Sequence, residues 1–151
     1  METTADNLKI GHGEVVVKSQ TGHKFTQKIR SENHSLIADE PLSVGGEDLG
    51  MAPYELLLSS LGACTSMTLQ MYAQHKNWPL TGVEVRLKHE KIHAQDCASC
   101  ETKVGKIDKI TKQIKIEGDL NAEQIQKLLE IAEKCPVNRT LKSEIWIETI
   151  H

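Results

Sequence analysis

Aromatic side chains are nearly missing from this 151-residue chain: Phe, Tyr and Trp make up 3 % of it. Any core must therefore rest on Leu, Ile and Val. No apolar run approaches the ~20 residues needed to cross a bilayer as a helix. A strong excess of one charge sign is missing too. The formal net charge is −3, so nothing draws the chain toward nucleic acid or anionic membranes in general. The opening stretch, residues 1–7, is polar and lacks the apolar middle of a secretory signal. The cytoplasm is then the expected location. Internal repeats, low-complexity tracts and linkers are absent as well. What remains is a balance of 38 % hydrophobic and 26 % charged residues, over a length that suits a single domain, residues 1–151.

The first third reads as strands. Glu14 to Ser19 is Val-rich, Thr21-Gly22 makes a turn, and Lys24 to Ser31 alternates with Phe25, Gln27 and Ile29 on one face. A third strand is expected from His34 to Asp39, followed by a Gly-rich loop, Ser43 to Met51, that carries Glu47 and Asp48. Ala52 to Lys76 is the strongest helical stretch. Pro53 suits its first turn, and Leu57, Leu61, Cys64, Thr68 and Met71 share a face. Leu56, Leu58 and Leu69 make other faces apolar, as in a buried central helix. Gly62 and Ala63 allow close approach of another element.

Leu80 to Ala94 and Ile107 to Glu117 read as two strands of a long hairpin. In the first, Val83, Val85 and Leu87 are in phase, with His89, Lys91 and His93 continuing that face. In the second the phase is set by Ile110, Ile114 and Ile116. Asn121 with Gln124 makes a capping box for a second helix, whose expected inner stripe is Ile125, Leu128, Leu129 and Ala132. Cys135-Pro136 interrupts it, and Ser143 to Ile150 alternates as a last strand. Strand groups joined by hairpins, with helices between them, predict an α+β fold with mostly antiparallel sheets.

Four cysteines are present: Cys64, Cys97, Cys100 and Cys135. In a reducing compartment, redox chemistry or metal binding explains such a set better than a disulfide framework does. If Pro136 opens a short helical turn, Cys135 sits at its N-terminal end. The N–H groups there favour a thiolate, and Arg139 adds positive charge nearby. Cys64, on an apolar helical stripe, needs a cation from elsewhere to be reactive, because burial alone raises a thiol's pKa. Arg30 and Lys24 on the second strand are the candidates. The ordinary alternative for both cysteines is a small, inert core residue.

Two segments carry a family resemblance. Residues 52–68, Ala-Pro-Tyr-Glu-Leu-Leu-Leu-Ser-Ser-Leu-Gly-Ala-Cys-Thr-Ser-Met-Thr, resemble the central helix of the OsmC/Ohr (organic hydroperoxide resistance) superfamily. Residues 133–141, Glu-Lys-Cys-Pro-Val-Asn-Arg-Thr-Leu, resemble its second-cysteine motif, and residues 36–41 with the Gly-rich loop also fit. The resemblance implies an OsmC-like fold in an intertwined homodimer with active sites at the subunit interface, and a stress-related thiol peroxidase activity. Cys64 would attack an organic hydroperoxide, Cys135 would condense with the resulting sulfenic acid, and a dithiol reductant such as a lipoylated protein would restore both. It further implies an arginine beside the first thiol, here Arg30 or Lys24 in its place, and a glutamate to orient it, Glu55 or Glu47. The rival reading within this family is a non-catalytic protein that binds a small apolar ligand or a metal.

Cys97-Ala98-Ser99-Cys100 lies in the hairpin loop, which many peroxidase-type relatives lack. The ordinary reading is a polar tip with two free thiols. The alternatives are a local redox pair, or a zinc set completed by His89 and His93.

Overall fold

The computed structural model describes residues 9–151. The opening stretch, on which the expected location rests, lies outside the described residues. The chain divides into two compact units, one ending at Leu56 and one running Leu57–His151.

The first unit holds a three-stranded antiparallel sheet in the order β1-β2-β3, with β1 Val16–Ser19, β2 Gln27–Arg30 and β3 Ser35–Ala38. All three are shorter than the alternation predicts, because pairing stops at the registers Ser19 with Gln27 and Arg30 with Ser35. The Gly-rich loop follows, and Ala38 meets Met51 in a parallel bridge. Gly50 is required there: a Cβ at this position would run into the Ile37 carbonyl oxygen.

Helix α1, Pro53–His75, opens in the first unit and runs on through the second. Pro53 stands in its first turn. The N–H of Ala52 donates to Glu55 Oε2 at 2.8 Å, the back half of a capping box. The helix ends where Asn77 takes a left-handed conformation (φ 53°) and the Trp78 N–H reaches the Ala73 carbonyl. The long hairpin is present as β4, Leu80–His93, paired with β5, Lys106–Gly118. Helix α2, Ala122–Ala132, carries the complete Asn121–Gln124 capping box. Helix α3, Pro136–Leu141, has Cys135 as its N-cap.

The core of the second unit joins α1 to α2 through Leu69, Ala73, Leu128, Ile131 and Ala132, with Val83, Ile114 and Ile116 of the hairpin packed against them. Scarce rings are placed where they count: Tyr72 meets Trp78 edge to face at 5.6 Å. Gly62 marks the close approach of α1 to β4, since a Cβ there would lie 2.8 Å from Leu87 Cδ1.

Three expectations need correction. The alternating tail, 143–150, forms no strand. Alternation fixes which way side chains would face but supplies no partner edge, and Trp146, Ile147 and Ile150 stay exposed. The inner stripe of α2 is Leu128, Ile131 and Ala132; Ile125 and Leu129 sit at its margin. And α1 is not buried on all sides, because Leu57, Met67 and Met71 are exposed.

Candidate functional site

The second unit brings Cys64 and Cys135 together. Cys64 lies in the middle of α1 and Cys135 caps α3, and both are free thiols. The two thiols are near enough to perturb each other. Cys135 is fully buried, whereas Cys64 is half-buried. Backbone N–H groups at the start of α3 point at both sulfurs: Asn138 N–H donates to Cys135 Sγ at 3.3 Å, and Val137 N–H to Cys64 Sγ at 3.5 Å. The Thr65 hydroxyl lies 3.7 Å from Cys135 Sγ and 2.8 Å from its own helix's Leu61 carbonyl.

The two thiols are polarised in opposite directions. Burial pushes the Cys64 thiol up, and the neighbouring Cys135 adds to this, against the Val137 N–H. Burial also raises Cys135, but more than offsetting it are the Asn138 N–H, the bonds from Cys64 and Thr65 and the charge of Lys112, so its pKa falls below the usual thiol range. Of the two, the deeper sulfur is therefore the easier to deprotonate.

Lys112 is the charged side chain beside this pair that sequence reading missed. Its Nζ donates to Asn138 Oδ1 at 3.2 Å and pairs with Glu133 at 3.4 Å, with its side chain only 11 % exposed. A signal was present: Lys112 falls in the inward phase of Ile110, Ile114 and Ile116, where isoleucine would be expected. The charge acting on Cys135 is this lysine's. Arg139, the expected neighbour, is exposed in the last turn of α3. Asn138 itself is buried, and its side-chain amide donates to the Glu133 carbonyl.

The predicted charged partners of Cys64 belong to the first unit. Arg30 is half-buried and pairs with Ser35 across β2 and β3, and Lys24 is exposed before β2. Glu47 faces His23 Nδ1 at 2.9 Å and accepts from the Thr26 hydroxyl at 3.4 Å; the His23 contact and these bonds hold its carboxyl below the usual range. Glu55 caps α1. A buried carboxylate absent from the expected set, Asp39, accepts from Thr26, Glu40 N–H and Leu49 N–H. Burial raises its pKa, but these donors outweigh that and lower it overall.

At the hairpin tip the expectation of two free thiols is corrected: Cys97 and Cys100 form a disulfide. A separation of three lets a turn bring the sulfurs together, and the Cys100 N–H bonds back to the Cys97 carbonyl. The suggested zinc set is not gathered. His89 Nε2 pairs with Asp108 at 2.8 Å instead, and among the described residues no group of three or more His, Cys, Asp or Glu is placed to hold a metal ion.

The family model for OsmC-like proteins matches residues 45–150. No curated protein matches the chain by sequence. Solved structures do match. The organic hydroperoxide resistance protein OsmC of Legionella pneumophila is 20 % identical, covers 87 % of this chain and 91 % of its own, and has a TM-score of 0.60. A Psychrobacter arcticus protein assigned to osmotic stress and detoxification is 17 % identical over 86 % and 88 %, at 0.67. The organic hydroperoxide resistance protein OhrB of Bacillus subtilis is 19 % identical over 85 % and 89 %, at 0.55. At these identities the likeness is one of fold.

Proposed function

Because the chain belongs to the OsmC-like family, we propose that it reduces organic hydroperoxides with Cys64 and Cys135 as its redox pair. The observation that supports this reading is that two free thiols meet at the start of α3, where the adjacent Val137 and Asn138 N–H groups each point at one sulfur. Cys64 is the more accessible sulfur, so the peroxide meets it first. Its proton is taken up by the neighbouring Cys135 thiolate. The Cys64 thiolate then attacks the distal peroxide oxygen, the O–O bond breaks, and the alkoxide takes up a proton and leaves as alcohol. Cys64 is left as a sulfenic acid. Cys135 displaces its hydroxyl as water and closes a Cys64–Cys135 disulfide. Two thiols and one hydroperoxide thus yield one disulfide, one alcohol and one water.

A dithiol, such as a lipoylated protein, then returns both thiols by exchange. In this reading Arg30, or Lys24 in its place, orients the peroxide, and Glu55 or Glu47 orients that cation. The exposed Met67 and Met71 on α1 support a homodimer that covers them. The test is cumene hydroperoxide consumption with dihydrolipoamide as reductant. Wild type turns over, and Cys64→Ser loses the rate by roughly 10³-fold or more, as for removal of a nucleophile. A Cys64→Ser variant that keeps most of the rate contradicts the reading and leaves the ligand-binding alternative.

A further inference from the structure

The scheme above leaves Cys97 and Cys100 without a role. Their position gives them one. Both are half-exposed at the hairpin tip and line an open groove of about 600 Å³. Its walls also include Leu61, Lys112 and Asn138. Each of these three bears on the inner thiols. Leu61 holds the Thr65 hydroxyl, Asn138 donates its N–H to Cys135 Sγ, and the Lys112 charge lowers the Cys135 pKa. One groove therefore joins the tip disulfide to the immediate surroundings of the redox pair.

The two pairs also differ in state and in access. The tip sulfurs are bonded to one another while Cys64 and Cys135 are free. Exchange requires a thiolate to reach a sulfur in line, and Cys135 is shut away from any macromolecular dithiol. Cys-x-x-Cys thiols at a surface are the kind that such a partner reaches, and this spacing lowers a thiol's pKa. The tip is held by local hydrogen bonds, from Ala94 N–H to the Gly105 carbonyl, Cys97 N–H to the Ala94 carbonyl and Lys103 Nζ to the Cys100 carbonyl at 2.5 Å. The β4–β5 ladder ends at His93 with Lys106, so the tip lies beyond it.

We propose that Cys97 and Cys100 form a second redox centre that regenerates the first. This rests on the peroxidase reading. A tip thiolate attacks one sulfur of the Cys64–Cys135 disulfide, whose S–S bond breaks to leave a mixed disulfide and one free inner thiol. The other tip thiol attacks the mixed disulfide, which closes Cys97–Cys100 and frees the second inner thiol. Two electrons and two protons pass from the tip to the inner pair. An external dithiol then reduces the tip.

The test follows disulfides in time. The fully reduced protein is mixed with one equivalent of cumene hydroperoxide, quenched with an alkylating agent at intervals, and mapped by peptide mass spectrometry. The relay predicts that alkylatable thiol is lost first at Cys64 and Cys135 and that this loss then moves to Cys97 and Cys100. In the Cys97→Ser/Cys100→Ser variant, the Cys64–Cys135 disulfide persists. A Cys64–Cys135 disulfide that forms and stays in wild type, with the tip thiols still alkylated, overturns the relay and leaves the peroxidase standing. Oxidation of the tip in Cys64→Ser at the wild-type rate also overturns it, since the tip would then be oxidised without the inner pair. If no peroxide is consumed and all four thiols survive, the peroxidase reading fails and the relay fails with it.

Discussion

The molecule holds its cysteines in two ways. Cys97 and Cys100 are neighbours in sequence, sit at a solvent-facing hairpin tip, and are bonded to each other. Cys64 and Cys135 come from separate helices, meet in a buried setting, and stay free. The contrast teaches that pairing and reactivity are set by different things. A short turn is enough to bring two sulfurs together. A polarised thiol pair needs a fold around it: the N-terminal N–H groups of α3, a hydroxyl from α1 and a lysine from β5. The outer pair depends on a turn, the inner pair on three elements.

The comparison can be broken most strongly at Cys135. Replacing it with serine leaves the Cys64 sulfenic acid unresolved, and turnover with a dithiol falls by roughly 10²-fold, on the scale of losing an assisting group next to a nucleophile. A dimedone adduct at Cys64 accumulates in mass spectra; full turnover without an adduct would show that Cys135 resolves nothing.

Lys112→Met probes the polarisation. A thiolate appears as pH rises through the pKa, and Cys135 titrates below the usual range partly because of this cation. Removing it moves the first thiolate absorbance at 240 nm to higher pH. At a pH between the old and new values the peroxide reaction slows; at higher pH the two proteins converge. An unchanged onset would remove Lys112 from the account.

The smallest effect belongs to the outer pair. Closing so short a loop constrains the unfolded chain little, so selective reduction of Cys97–Cys100 lowers stability by about 2 kcal/mol or less. Differential scanning calorimetry of Cys97→Ser/Cys100→Ser checks this, and a much larger drop would make the tip a structural staple.

Local signals in the sequence translated directly into structure. Pro53 opens α1, Asn121 and Gln124 cap α2 reciprocally, Cys135-Pro136 starts α3, and the in-phase residues of β4 and β5 make the hairpin. Each is a property of a few consecutive residues. What escaped depends on partners distant in the chain. The tail around Trp146 alternates as a strand but pairs with no strand among the described residues. Lys112 gains its role only when β5 brings it to Asn138. The opposite shifts of Cys64 and Cys135 arise from contact between α1 and α3, which neither local sequence encodes.

The central claim is that Cys64 and Cys135 act as one peroxide-reducing pair. The most direct measurement is a thiol count on the reduced Cys97→Ser/Cys100→Ser protein, before and after one equivalent of cumene hydroperoxide, with the products mapped by mass spectrometry. The account predicts rapid loss of both thiols and a single Cys64–Cys135 disulfide, with the peroxide converted to its alcohol. Two thiols still titratable after minutes, with the peroxide intact, would contradict it.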